Sequence, residues 1–239
     1  MKNSFFGLVV SILFSGAVIA APVELSDFSS SAITIDFDSK PDGTPITGIL
    51  VPPYSGSISN PDSVIDNEYS SLGVIFSSNN SGAIAVQDST SQLAGISSPN
   101  ALIGTIDSSN YSTGGPIFIE FVDPLTGLQG VTTQVGAFSL DVDIAPVSFT
   151  AFDFMGNELE TVFFSVGGDG SIDFAGINRD EGISSVAINV PGTDFFAIDN
   201  LIFEPVKAVP VPPALILFAS GLIGLIGIAR RKKALLLKE

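Results

Sequence analysis

Two stretches, Ser148-Phe149-Thr150-Ala151-Phe152-Asp153-Phe154 and Glu160-Thr161-Val162-Phe163-Phe164-Ser165-Val166, flank the connection Met155-Gly156-Asn157-Glu158. Both arms are rich in aromatic and β-branched residues that recur with a period of two, the pattern of a half-buried strand. Gly156 and Asn157 tolerate positive φ, so the connection reads as a tight hairpin. Strands joined in this way run antiparallel.

The same alternation continues on both sides. Ala32–Phe37, Gly73–Phe76, Ala83–Val86, Pro116–Phe121 and Ala137–Val142 precede the hairpin, and Ile183–Val190 and Phe195–Phe203 follow it. Asp88 to Ser112 is rich in Ser, Asn and Gly and reads as loops around one short strand, Ala101–Ile106. Gly, Pro, Asn, Asp and Ser punctuate the runs, and no stretch keeps a helical period over three turns. The expected fold is all-β: an antiparallel β-sandwich, jelly-roll-like. Phenylalanine dominates the aromatic content, with 19 Phe against 3 Tyr. At alternate strand positions these rings read as core.

Two targeting segments flank this ectodomain, which occupies residues 21–206. Residues 1–20 carry Lys2, the apolar run Phe5–Phe14 and a small-residue end at Ala17–Ala20. That order is a secretory signal peptide, with cleavage expected after Ala20 and Ala21 as the next choice. Residues 207–239 hold a proline motif (Val209, Pro210, Val211, Pro212, Pro213), an apolar stretch over 214–229, and a basic tail over 230–239 opened by Arg230, Arg231, Lys232 and Lys233. The uncharged run Val209–Ala229 covers roughly 30 Å as a helix, about one hydrocarbon core. The cations after it place the tail on the cytoplasmic side. A plain single-pass anchor has the same physics.

Charge and missing residue types narrow the function. Lys40 and Arg179 are the only basic residues between Pro22 and Val206, against 24 acidic ones, a net charge of −22. Such a surface excludes nucleic acid and favours divalent cations. The chain has no Cys, His or Trp. Disulfide staples, His-based triads and ordinary zinc sites are therefore excluded.

Three groupings are candidate sites. In Asp36-Phe37-Asp38-Ser39-Lys40-Pro41-Asp42-Gly43-Thr44, Asp36 and Asp38 share one strand face, and the Asp42-Gly43 turn can fold carbonyls back beside them. With Asp199 of the last strand they would offer hard oxygen ligands suited to a structural Ca²⁺. The alternative is that Asp38 and Asp42 cap a turn and Asp199 faces solvent. The carboxylate pairs Asp141/Asp143, Glu158/Glu160 and Asp180/Glu181 have the chemistry of a glycosidase. Gly167-Gly168-Asp169-Gly170-Ser171-Ile172-Asp173-Phe174 approaches a calcium-binding repeat, but its Asp comes one residue late and the unit does not recur, so it reads as a loop.

The order Val-Pro-x-Pro, a glycine-punctuated apolar span with Ser220-Gly221-Leu222, and Arg230-Arg231-Lys232-Lys233 resembles the PEP-CTERM class of bacterial sorting signals. The nearer variant has an apolar residue in place of the glutamate, here Val211. The layout of Asn67–Phe76, Thr150–Leu159, Phe174–Ile177 and Phe196–Phe203 resembles ectodomains found ahead of that signal, which look like carbohydrate-binding or lectin-like β-sandwiches. The resemblance implies a protein exported by the secretion translocon and held in the inner membrane as a single-pass precursor. An exosortase-type membrane protease or transpeptidase would then process it to the cell surface or extracellular matrix of a polysaccharide-producing bacterium. A non-catalytic role is expected, with weak contact to extracellular polysaccharide through loops and Tyr54, Tyr69 or Tyr111. The alternative is a secreted, carboxylate-dependent polysaccharide-active enzyme.

Overall fold

The computed structural model describes residues 22–51, 55–79, 81–88, 97–105, 107, 109–112, 115–168, 170–192 and 196–209. The expected signal peptide with Ala20 and Ala21, and everything from Pro210 onward, lie outside the described residues, as does Tyr54. Among the described residues no helix is long and apolar enough to cross a membrane.

In chain order the strands are β1 (Ile33–Ile35), β2 (Ile49–Val51), β3 (Ser55–Ser57), β4 (Val64–Ile65), β5 (Val74–Ser77), β6 (Ala83–Asp88), β7 (Ala101–Ile103) and β8 (Asn110–Ser112). They continue with β9 (Ile117–Phe121), β10 (Gly130–Leu140), β11 (Val147–Phe152), β12 (Glu158–Phe164), β13 (Ile172–Ile183), β14 (Ser185–Asn189), β15 (Ala197–Phe203) and β16 (Lys207–Ala208). One sheet runs β13-β10-β15-β7-β6-β2, with β1 also on β15, β4 on β6 and β16 on β10; a second runs β12-β11-β14-β9-β5, and β3 pairs with β8 in a two-stranded third. The chain crosses between sheets repeatedly, β10 feeding β11 and β12, then β13, β14 and β15. This is the expected sandwich, with one correction to its antiparallel character: β2 and β6 pair in parallel.

Alternation decides which face each side chain takes. In β9, Ile117, Ile119 and Phe121 are buried while Phe118 is half-buried and Glu120 exposed. The inward rings close the space between the sheets: Phe121 of β9 meets Phe203 of β15 at 5.5 Å between centroids. Phe164 meets Phe149 at 5.7 Å and Phe196 at 5.8 Å. Burial of each such ring contributes about 1.5–3 kcal/mol, which is how a chain without cysteine holds its core. In β10, Gly136 gives the Phe174 ring its seat, since a Cβ there would stand 2.5 Å from Phe174 Cζ.

The β11–β12 hairpin forms where expected but is wider. Phe154 sits in the turn, not the strand. Asp153 anchors the turn, its carboxylate accepting from the Met155 and Asn157 N–H groups, each at 2.8 Å, and from Asn157 Nδ2 at 2.8 Å. Gly156 takes φ +82°, whereas Asn157 keeps negative φ. The longest strand, β13, starts inside the stretch Gly167–Phe174 that reads as loop and continues where no strand is expected, because Gly176, Gly182 and the run Arg179-Asp180-Glu181 break its alternation. Before it, residues 165–168, 170 and 171 lie outside any strand. At the other end of the sheet β16 pairs with β10 (Gly130↔Ala208), and the Val209 N–H donates to Gln129 O at 3.4 Å.

Candidate functional site

The acidic turn follows β1. Asp36 Oδ1 accepts the Asp38 N–H at 3.1 Å, closing an Asx turn. Phe37, between them, takes φ +60°, rare for a bulky residue. That twist drives its ring into the core against Tyr69 and Phe76 and turns both carboxylates away from it. Asp38 Oδ1 accepts the Asn100 N–H at 2.8 Å. Asn100 is a buried clamp, its Nδ2 donating to Phe37 O and Ile46 O, each at 3.0 Å.

Asp199 of β15 is fully buried, contrary to a solvent-facing reading. It accepts from the Ser97 N–H at 2.9 Å, from Ser97 Oγ at 2.8 and 3.0 Å, and from the Asn200 N–H at 2.7 Å. Burial raises the pKa of Asp199 and of Asp38, and the Asp36 charge adds to both. Asp36, Asp38 and Asp199 therefore face one another electrostatically. Asp42 stands apart and exposed; its Oδ1 accepts the Thr44 N–H at 2.9 Å, and that bond lowers its pKa.

The three grouped carboxylates have the hardness calcium prefers, but much of their lone-pair capacity is engaged by protein donors. Among the described residues, no three acidic side chains are arranged to hold a metal.

Two tyrosines expected to meet glycan are core residues. Tyr69 is 2 % exposed and donates its hydroxyl to Ser39 O at 2.9 Å. Burial, then the charges of Asp36, Glu68 and Asp38, raises its pKa. Tyr111 is 3 % exposed and packs over Gly56. Carboxylates of the paired sets are engaged by other groups: Asp141 is buried and accepts the Gly170 N–H at 2.7 Å, Glu158 accepts from Thr161 Oγ1 at 2.8 Å, and Glu160 pairs with Arg179 at 2.8 Å.

The outer face of the five-stranded sheet carries a different assembly. Register places Phe118 of β9 opposite Ala187 of β14, itself opposite Thr150 of β11. One step along, Glu120 lies opposite Ser185, itself opposite Phe152. Phe118, Glu120, Phe152, Ser185 and Ala187, with Ser77, line a hollow of about 340 Å³. A second hollow of about 330 Å³ shares Glu120 and Ser185 with it and adds Ile75, Gln129 and Ser184. Gln129 is oriented by donating Nε2 to Ser184 Oγ at 3.0 Å and to Phe154 O at 3.2 Å. The two hollows make one open groove with aromatic walls, a single lining carboxylate and several hydroxyl and amide groups. The signal for it lay in phase: Phe118 is in step with Glu120, and Phe152 with Ser148 and Thr150, so neither ring shares the core's register.

No protein-family profile and no curated protein sequence matches the chain. Solved structures resemble it loosely. An adhesin domain of Lys-gingipain from Porphyromonas gingivalis aligns at TM-score 0.33 and 12% identity, covering 74% of this chain and 98% of that one. A family 6 carbohydrate-binding module aligns at TM-score 0.31 and 13% identity, covering 56% of this chain and 95% of the module. Tailspike protein 4 of bacteriophage CBA120 aligns at TM-score 0.32 and 12% identity, and the match spans 22% of its enzymatically active domain. Likenesses this loose do not assign the chain to a family.

Proposed function

We propose that the chain is an exported, C-terminally sorted surface or matrix protein whose β-sandwich holds extracellular glycan without cutting it. The observation that carries the glycan reading is the groove on the outer sheet face. Phe118 and Phe152 offer apolar surface to the C–H face of a sugar ring, while Glu120, Ser185 and Gln129 stand within the same groove to meet hydroxyls. Hydrolysis needs two carboxylates flanking the scissile bond, and the groove lining contributes Glu120 alone. The sorting part rests on the order of proline motif, apolar span and basic cluster. Calcium enters as a structural ion that would relieve the repulsion among Asp36, Asp38 and Asp199.

The test is a glycan array probed with the full chain and with Phe118→Ala and Phe152→Ala, beside a reducing-sugar release assay. Binding that both substitutions weaken, with no sugar released, supports the reading. Binding indifferent to both substitutions removes the groove from it. Release abolished by Glu120→Gln would establish the enzyme instead.

A further inference from the structure

At the end of the sandwich near Val209, large apolar side chains stand in solvent. Leu125 is 93 % exposed, Leu128 70 %, Met155 69 % and Phe154 45 %. All four sit on two turns, the crossover from β9 to β10, closed by the bridge Val122↔Gln129, and the β11–β12 hairpin, joined by the Gln129 Nε2 bond to Phe154 O. The first turn is closed by the Asp123 N–H donating to Leu128 O at 2.7 Å, so its leucines are displayed on a fixed frame. The polar anchors of both turns are drawn inward: Asp123 accepts from Leu125 N–H and Thr126 Oγ1, and Asp153 from the Met155 and Asn157 N–H groups.

The departure point is adjacent. Val209 bonds Gln129 O, one residue from Leu128. Pro210 to Pro213 follow, four residues that reach at most roughly 14 Å even when extended, and then the apolar run over 214–229 begins. If that run spans the bilayer, the two turns cannot stand far from its surface.

We propose that the tips Leu125, Leu128, Phe154 and Met155 rest in the headgroup boundary of the membrane holding the precursor, so that the sandwich stands on it in a fixed orientation. The inference rests on reading the apolar run over 214–229 as a membrane span. Apolar side chains inserted about 5–10 Å into that boundary gain stabilisation with the area they bury. The net charge of −22 over residues 22–206 disfavours anionic lipid, so the fitting surface is zwitterionic.

The chain has no tryptophan, so single Trp substitutions report alone. Full-length chain carrying L125W, M155W, I172W or F218W would be reconstituted in phosphatidylcholine nanodiscs with or without acyl-chain bromine. Ile172 is the control, 48 % exposed at the opposite end of the sheet, where it pairs with Leu140. Expected are bromine quenching and a blue shift for L125W and M155W, as for F218W in the span, and neither for I172W. Quenching of F218W without that of L125W and M155W overturns the docking and leaves the span standing. An unquenched F218W overturns both. Shielding of L125W that depends on protein concentration, without bromine quenching, assigns the tips to a second copy and overturns the proposal.

Discussion

Ser97 holds both carboxylate oxygens of Asp199, its hydroxyl standing 2.8 Å from Oδ1 and 3.0 Å from Oδ2 and its N–H 2.9 Å from Oδ2. A buried carboxylate that takes most of its donors from one residue, with the Asn200 N–H beside them, is exposed to loss of that residue. Ser97→Ala should cost about 1–3 kcal/mol, the penalty for an under-solvated buried acceptor. At this chain length that is roughly 2–4 °C of Tm per kcal/mol. Charge alone predicts that Asp199→Asn is harmless, but its amide would point donors at donors, so a loss of similar size is expected. Asp38→Asn can keep its oxygen toward the Asn100 N–H and should be neutral or stabilising. Thermal melts of the three variants rank them.

The pH profile follows from the same groups. Burial raises the folded-state pKa of Asp38 and Asp199 above the unfolded value, about 3.9 for Asp. Native chain then binds more protons than unfolded chain between those values, so stability falls as pH rises through the window. Hydrogen bonds lower the pKa of Asp42, Asp107 and Asp153, whose contributions are lost only below the ordinary value. Denaturant midpoints should therefore rise from pH 7 toward pH 4–5 and drop below about 3.5. In Asp38→Asn the rise should shrink. A flat profile over pH 4.5–7 would show that burial does not raise these groups.

Calcium is tested against the same cluster. An ion bound only by folded chain, at a hundredfold excess over its Kd, stabilises by about 2.7 kcal/mol, or very roughly 5–10 °C in Tm. Magnesium should do less, since it demands a tighter octahedron. Asp38→Asn should abolish the shift and Asp42→Asn should leave it intact, because Asp42 lies outside the cluster. Identical melting curves in calcium and in chelator would reduce Asp36, Asp38 and Asp199 to turn and core hydrogen bonding.

Phe118 and Phe121 lie three residues apart on opposite faces of β9 and should behave oppositely. Phe121→Ala empties a site 1 % exposed and should cost about 3–5 kcal/mol. Phe118→Ala should cost about 1 kcal/mol, as for a partly exposed side chain, while weakening glycan binding about tenfold. Urea unfolding and titration calorimetry separate the two losses.

Sorting has its own test. Replacing Pro210 and Pro212 by Ala should leave full-length precursor in the inner membrane, because the apolar span remains while the proline motif is gone. Neutral residues in place of Arg230–Lys233 should disturb orientation or retention. Surface protein of unchanged mature mass in the proline variant would remove the processing step.

Strands whose alternation is unbroken were legible in the sequence, among them β5, β9, β11, β12 and β14, because period two is a local property. β13 was not: two glycines and three consecutive charged residues hide its phase, and long-range pairing with β10 sets its register. β3, β4 and β8 are too short to show a period. The acidic cluster was half legible. Chemistry brought Asp36, Asp38 and Asp199 together on paper, but Ser97, which satisfies Asp199, comes from a polar run with no pattern of its own. Tyr69 and Tyr111 misled because a hydroxyl does not tell which face its ring takes. The groove demanded phase as well as composition, since Phe118 is out of step with Ile117, Ile119 and Phe121.

The place of β15 in its sheet determines how the protein would carry load. β15 lies between β10 and β7 and pairs with β1, and it is the last long strand before Val209, where the described residues end. Tension applied through the C-terminal segment first meets the two-residue β16, whose peeling gives a short, compliant extension. Beyond it the pull runs along the axis of β15. The hydrogen bonds to its neighbours then resist in shear, many at once, instead of opening one after another. A glycan held on the opposite sheet would thus tug on an anchor that yields a little and then stiffens.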